Sequence, residues 1–372
     1  MDLTLFLIVW IITLIFCIVS SKSKKVEENQ FYTAIDYQLE DIEPDIASMN
    51  SLELTLTDQY FNPSRIPNYH AVEEVKEFIF NPTTLTEYIG QEDAKKLVML
   101  NIRKINEIKP VHFLISGLYG HGKTTLAHII ERELGATMIE RTAGQITNPS
   151  QIEDLMIEIN QHEKETKVIL FIDEVHSLNA SLCEDLHPIM ERFSCAGRSI
   201  KPFTLIGATT RKDVLMRPDK IPFTSRFQAQ IELTSYTVND LITILKQYKS
   251  QLFPELWVDP ANYKIIAERC KFTPRIALSL LDDNLVEQDI HKILEWHHIK
   301  KDGLTINDIK ILEALNRSDR PIGEGGLSQI LGINKNEYAM LYEGYLVSHG
   351  YINRTSSGRE LSELGKQFLE EL

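Results

Sequence analysis

Hydrophobic and polar positions change rhythm several times along the chain. Residues 3–19, "LTLFLIVWIITLIFCIV", are apolar at fifteen of seventeen positions, and "SSKSKK" follows at once. As a helix this run would measure roughly 26 Å at ~1.5 Å per residue, against a hydrocarbon core of ~30 Å. It predicts an N-terminal transmembrane helix, with residues 1–25 forming an anchor and its basic flank. A cleaved signal peptide would open with basic residues, and Asp2 stands there instead. Lys22, Lys24 and Lys25 follow the run, which puts the C-terminal bulk on the cytoplasmic side of a membrane. Without the anchor the chain reads as a cytoplasmic protein. Residues 26–80 predict an acidic spacer, with nine Asp or Glu and no Lys or Arg between positions 26 and 60.

From about residue 84 the pattern becomes that of an α/β fold. "VHFLIS" (111–116), "VILFID" (168–173) and "FTLIGATT" (203–210) are continuous apolar runs, as in parallel strands buried on both faces. Helical periodicity fills the gaps, so residues 81–236 predict a parallel sheet covered by helices. Residues 237–300 are helical throughout. Residues 301–372 show three short helical patterns, then "YINRTSSGREL" as a hairpin-like wing, then a last helix.

Composition narrows this picture. A net charge of −14 excludes a bulk nucleic-acid coat, so any DNA contact must be local. Cys17, Cys183, Cys195 and Cys270 form no CxxC pair and no metal spacing, which suits free thiols.

The candidate chemistry lies where strands end. "GLYGHGKTT" (117–125) fits G-x-x-x-x-G-K-[ST] between a predicted strand and a predicted helix. Its backbone N–H groups, at Gly117, Gly120 and Gly122 among others, can close around phosphate oxygens. Lys123 would reach the β and γ phosphates, and Thr124 would offer its hydroxyl to Mg²⁺. "VILFIDEVH" ends in adjacent carboxylates: Asp173 is suited to the Mg²⁺ shell and Glu174 to polarising the attacking water. "LIGATTR" places Thr209 and Thr210 at another strand tip, where either can sense the γ phosphate. Arg226 and Arg275 follow as candidates for stabilising charge in phosphoryl transfer.

With these motifs in order, the chain resembles the AAA+ ATPases, and within them the RuvB-type Holliday-junction branch-migration motors. "LTEYIGQEDAKKLV", "GHGKTTLAHIIERELG", "LFIDEVHSL", "RSIKPFTLIGATTR", "SRF", "TPRIALSLL" and "GYLVSHGYINRTSSGR" carry the resemblance over residues 85–372. It implies a P-loop AAA+ core, an all-helical lid and a C-terminal winged helix that binds DNA. It implies that Gly120, Gly122, Lys123, Thr124 and Thr125 contact ATP and Mg²⁺, and that Thr210 and Arg275 are the two sensors. Arg226 corresponds to the finger that enters a neighbouring subunit's site, so a ring is implied, a hexamer in the family. Glu191, Arg192, Phe193 and Tyr236 fall where the family lines its nucleotide pocket. Arg354 and Arg359 match its DNA-contacting arginines.

Two departures keep a second function open. Only "SCAGRSIKP" (194–202) stands where the family carries a longer hairpin that docks a RuvA-type partner, which argues against that docking. The C-terminal block is also not basic, with nine Lys or Arg against eleven Asp or Glu over residues 300–372. A DNA motor is thus weighed against a membrane-tethered remodeller that acts on protein through its winged helix.

Overall fold

A computed structural model of the chain describes residue 80 and residues 82–372 apart from residue 196. The expected anchor at residues 3–19 and nearly all of the acidic spacer lie outside the described residues. Among the described residues no helix is long and apolar enough to cross a membrane.

Helix α1 (Glu92–Glu107) leads into strand β1 (Phe113–Ser116), helix α2 (Lys123–Leu134) and strand β2 (Thr137–Thr142). Helix α3 (Pro149–Gln161), strand β3 (Val168–Asp173) and helix α4 (Ala180–Arg192) follow. A hairpin of two-residue strands, β4 (Ser194–Cys195) and β5 (Arg198–Ser199), precedes β6 (Thr204–Thr209). Two single-turn helices, α5 (Lys212–Leu215) and α6 (Ile221–Thr224), come before β7 (Ala229–Glu232). The five longer strands form one parallel sheet in the order β2-β3-β6-β1-β7.

Alternation along the strands fills two cores. Phe113, Ile115, Phe171 and Ile206 pack with Val98 of α1 and Leu126 and Ile130 of α2. Leu114, Leu170, Ile172 and Leu205 face the other way, onto Ile152 of α3 and Leu182 and Leu186 of α4. Burial on both faces is why β1, β3 and β6 read as unbroken apolar runs. Because the strands run parallel, Ser116, Asp173 and Thr209 end at one edge of the sheet, where open α/β sheets bind ligands.

The next four helices, α7 (Val238–Leu252), α8 (Pro260–Arg269), α9 (Pro274–Val286) and α10 (Ile290–Trp296), enclose their own core of Leu241, Leu245, Ile266 and Leu281. Thr237 starts α7 with a reciprocal cap: its Oγ1 accepts the Asp240 N–H at 3.1 Å, and Asp240 Oδ2 accepts the Thr237 N–H at 3.0 Å.

Helices α11 (Ile306–Asn316) and α12 (Glu324–Leu331) begin the C-terminal unit. Then come α13 (Lys335–Tyr338), a π-helical turn at Ala339–Glu343, and α14 (Gly344–Ser348). Strands β8 (Ile352–Arg354) and β9 (Arg359–Leu361) pair antiparallel, with Arg354 opposite Arg359, and α15 (Glu363–Glu370) closes the unit. Ile322 exchanges both backbone hydrogen bonds with Arg359 (3.0 and 2.9 Å), a one-residue bridge on the other edge of β9.

Candidate functional site

A cavity of about 540 Å³ opens at the strand ends. The loop from β1 to α2 forms its floor. Gly122 caps α2 in a left-handed conformation (φ 86°), which an L side chain adopts only under strain. Lys123 is buried at 7% exposure, and its Nζ donates to the carbonyls of Gly117 and Leu118, each at 3.1 Å. Burial holds the ammonium below its ordinary pKa, against the opposing pull of Glu174 and Asp173. Tyr88 and Tyr236 brace the loop from behind: their hydroxyls donate to the His121 carbonyl at 3.4 and 3.2 Å.

The two carboxylates at the end of β3 are held differently. Burial raises the pKa of Asp173, while its Oδ1 accepts the Glu174 N–H at 2.9 Å. Glu174 takes φ 50°, a left-handed conformation that costs a non-glycine residue about 1–3 kcal/mol. Its Oε2 accepts from the Thr210 hydroxyl (2.9 Å) and backbone N–H (3.3 Å), and lies 3.0 Å from His176 Nδ1. Burial alone would raise Glu174, but these hydrogen bonds outweigh it and the pKa falls below the usual carboxylate range. The fully buried Thr209 hydroxyl also lies 3.0 Å from His176 Nδ1. His176, absent from the sequence-derived candidates, thus joins the tip of β6 to Glu174.

Gly120, Gly122, Lys123, Thr124, Thr125, Asp173, Glu174, Tyr236 and Arg275 all border the cavity. Gly117 adjoins it through Lys123, and Thr210 through Glu174. The Arg275 guanidinium lies over the Tyr119 ring at 4.5 Å. Away from the phosphate-sized loop, Phe80, Pro82, Ile89 and Leu278 supply flat apolar wall. Tyr248 and Asp282, hydrogen-bonded at 2.5 Å, close that end. Thr124 and Asp173, a hydroxyl and a carboxylate, are oxygen donors of the kind a hard divalent cation takes. Asp173, its pKa raised by burial, gains from a cation beside it.

The structure does not bring Glu191, Arg192 and Phe193 to this cavity, which corrects their expected place in the pocket. α4 carries them to the opposite end of the sheet, where Phe193 packs on His112 and Phe203, at the beginnings of β1 and β6. Arg226 stays with them: its Nη2 lies 3.2 Å from Glu191 Oε2 and 3.1 Å from His187 Nε2.

The wing arginines are not free side chains. Glu343, 1% exposed, accepts from Arg354 Nε (2.8 Å) and, with both oxygens, from Arg359 Nη2 (2.7 and 2.9 Å). Arg354 remains 47% exposed, whereas Arg359 is 14% exposed. Burial pulls the Arg354 pKa down, but the bond and charge of Glu343 more than offset it. Glu324 links this cluster to the exit of β6, 3.6 Å from both Arg359 and Arg211. Among the described residues Cys183 and Cys270 are buried free thiols and Cys195 is a half-buried one.

Comparison with known proteins agrees with this geometry. Residues 80–233 match the family model of the Holliday junction DNA helicase RuvB P-loop domain, and residues 301–370 that of the RuvB C-terminal winged helix domain. A Holliday junction branch migration complex subunit RuvB from Thermotoga maritima is 33% identical over 317 residues, spanning 78% of this chain and 91% of the relative. The protein of the same name from Thermosipho melanesiensis is 36% identical over 302 residues, 74% and 93% of the two chains. The solved Thermotoga maritima RuvB branch migration motor superposes with a TM-score of 0.69 at 33% identity, covering 78% of this chain and 98% of that one. The chain belongs to the RuvB family of AAA+ ATPases.

Proposed function

We propose that the protein is an ATP-driven DNA motor of the branch-migration type. The observation that carries this reading is the joint placement of Lys123, Asp173, Glu174 and Arg275 around one cavity, in a chain that ends in a winged helix. Lys123 neutralises the β and γ phosphates. Glu174, kept ionised by its hydrogen bonds, accepts the proton of the attacking water, and Thr210 aims it. Thr124 and Asp173 would hold Mg²⁺, which supplies charge compensation on the phosphates when bound. Arg275 meets developing charge from the lid side.

Arg226, with Glu191 and Arg192, lies too far from its own cavity to border it. A homo-oligomeric ring, a hexamer by family resemblance, would let this edge complete the next subunit's site. Of the two wing arginines, Arg354 is the more exposed and contacts DNA phosphate, while Arg359 shapes the wing. The β4–β5 hairpin, two residues per strand, offers little to a RuvA-type partner. Residues 1–25 anchor the protein to a membrane, and residues 26–80 are the acidic spacer between that anchor and the ATPase body in sequence.

The test is ATP turnover by the full chain with and without four-way junction DNA. Junction DNA raises the rate, and Glu174→Gln lowers it by at least about 100-fold while ATP binding is retained. A rate indifferent to DNA but raised by a protein partner would favour remodelling instead.

A further inference from the structure

One short piece of chain touches both the P-loop and the winged helix. Residues 270–273 connect α8 to α9, and Arg275 sits in the first turn of α9. Two adjacent non-glycine residues there, Lys271 and Phe272, take left-handed backbone (φ 52° and 50°). Side chains of the C-terminal unit hold them. Lys271 Nζ lies 2.5 Å from Asp308 Oδ2, in a pair exposed by only 8% and 0%. The rings of Tyr342 and Tyr345 flank the same ammonium at 5.6 and 5.4 Å. Phe272 stacks on His349, with ring centroids 5.3 Å apart and planes 9° apart. Asp308 is itself fixed, because Oδ2 also accepts the Thr305 N–H (2.7 Å) and hydroxyl (2.6 Å) that start α11. Four residues beyond Lys271, Arg275 reaches the P-loop over Tyr119.

A buried ion pair is a poor device for stability alone, since an apolar pair of similar size often stabilises as well or better. A charge pinned at one end of a strained turn does fix direction. We infer that Lys271 is a positioning residue for Arg275, so that the winged helix completes the ATP site of its own chain. This rests on the reading of Arg275 as a contact to the phosphates. Asp308 holds Lys271, Lys271 holds the turn, and the turn sets the angle at which α9 delivers the guanidinium. A shift of the C-terminal unit on DNA would then be felt at the γ phosphate through this turn.

The experiment is steady-state ATPase of the full chain for Lys271→Met, Lys271→Arg, Arg275→Ala and the Lys271→Met/Arg275→Ala double variant. Lys271→Met lowers kcat by about 10-fold with KM for ATP within about 3-fold of the parent. Lys271→Arg, which keeps a positive charge on Asp308, loses less kcat than Lys271→Met. The double variant is no slower than Arg275→Ala alone, a non-additivity that general loosening of the fold would not produce. If Lys271→Met does not fold, Lys271→Met/Asp308→Asn carries the same test, since it leaves no lone buried charge and keeps an acceptor for Thr305. A folded variant with parental kcat, or losses that multiply in the double variant, overturns the inference. An Arg275→Ala variant with parental kcat removes the phosphate reading of Arg275 itself, and is thereby told apart from failure of the positioning role.

Discussion

His121 sits inside the P-loop, 1% exposed, with its Nδ1 against the Tyr119 carbonyl at 3.1 Å and, among the described residues, no hydrogen-bond partner at Nε2. Burial pushes its pKa down to about 4. The unfolded chain takes up this proton near the ordinary imidazole value of 6.5, so between those limits the unfolded state binds more protons. Stability therefore falls as pH drops through that window, by about 3 kcal/mol once pH 4 is reached. In thermal melts from pH 7 to 4, His121→Leu has a flatter dependence of Tm on pH than the parent. A single residue such as Lys123 or Asp173 was legible in the sequence because its role follows from neighbours within a few positions. His176 was not, because Thr209 and Glu174 meet it only once β3 and β6 lie side by side. The pairing of Arg359 was hidden for the same reason: Glu343, which takes its charge, stands sixteen positions away.

Among the elements, continuous apolar runs marked β1, β3 and β6 to within two residues of their ends. The flanking strands gave no such signal. In β2, "TMIERT", only Ile139 is buried, as befits a strand at the edge of the sheet, and β7 is four residues of plain alternation. Helices α13 and α14 run on from one another through the π-helical turn at Ala339–Glu343, within the helical patterns read over residues 301–372. Such a turn changes which residues face inward, and hydropathy does not reveal it. It brings Glu343 into the interior beneath both wing arginines. Glu343→Gln leaves the half-buried Arg359 beside a neutral amide, with Glu324 at 3.6 Å as its remaining carboxylate. Losing these charge-assisted hydrogen bonds costs about 1.5–3 kcal/mol, so the variant melts at lower temperature and its C-terminal unit becomes the first site of proteolysis.

At the scale of the whole molecule, the expected architecture of core, lid and winged helix rests on motifs spread over nearly 300 residues, which is why it was visible before any contact was known. How the parts touch was not. The proposed anchor at residues 1–25 is open to direct test. Deleting residues 1–25 moves the protein from the membrane fraction to the soluble fraction and leaves ATPase activity intact; lost activity would mean that the segment also helps to assemble the ring. Contact between units has a further consequence at Leu118 of the P-loop. A Cβ added to Gly344 would stand 2.7 Å from the Leu118 methyl Cδ2, so the start of α14 and the nucleotide loop share one small volume. A side chain at position 344 therefore requires the Leu118 methyl to turn aside. The two sites, 226 positions apart, are therefore coupled: in a double-mutant cycle, Gly344→Ala costs less beside Leu118→Ala than beside Leu118.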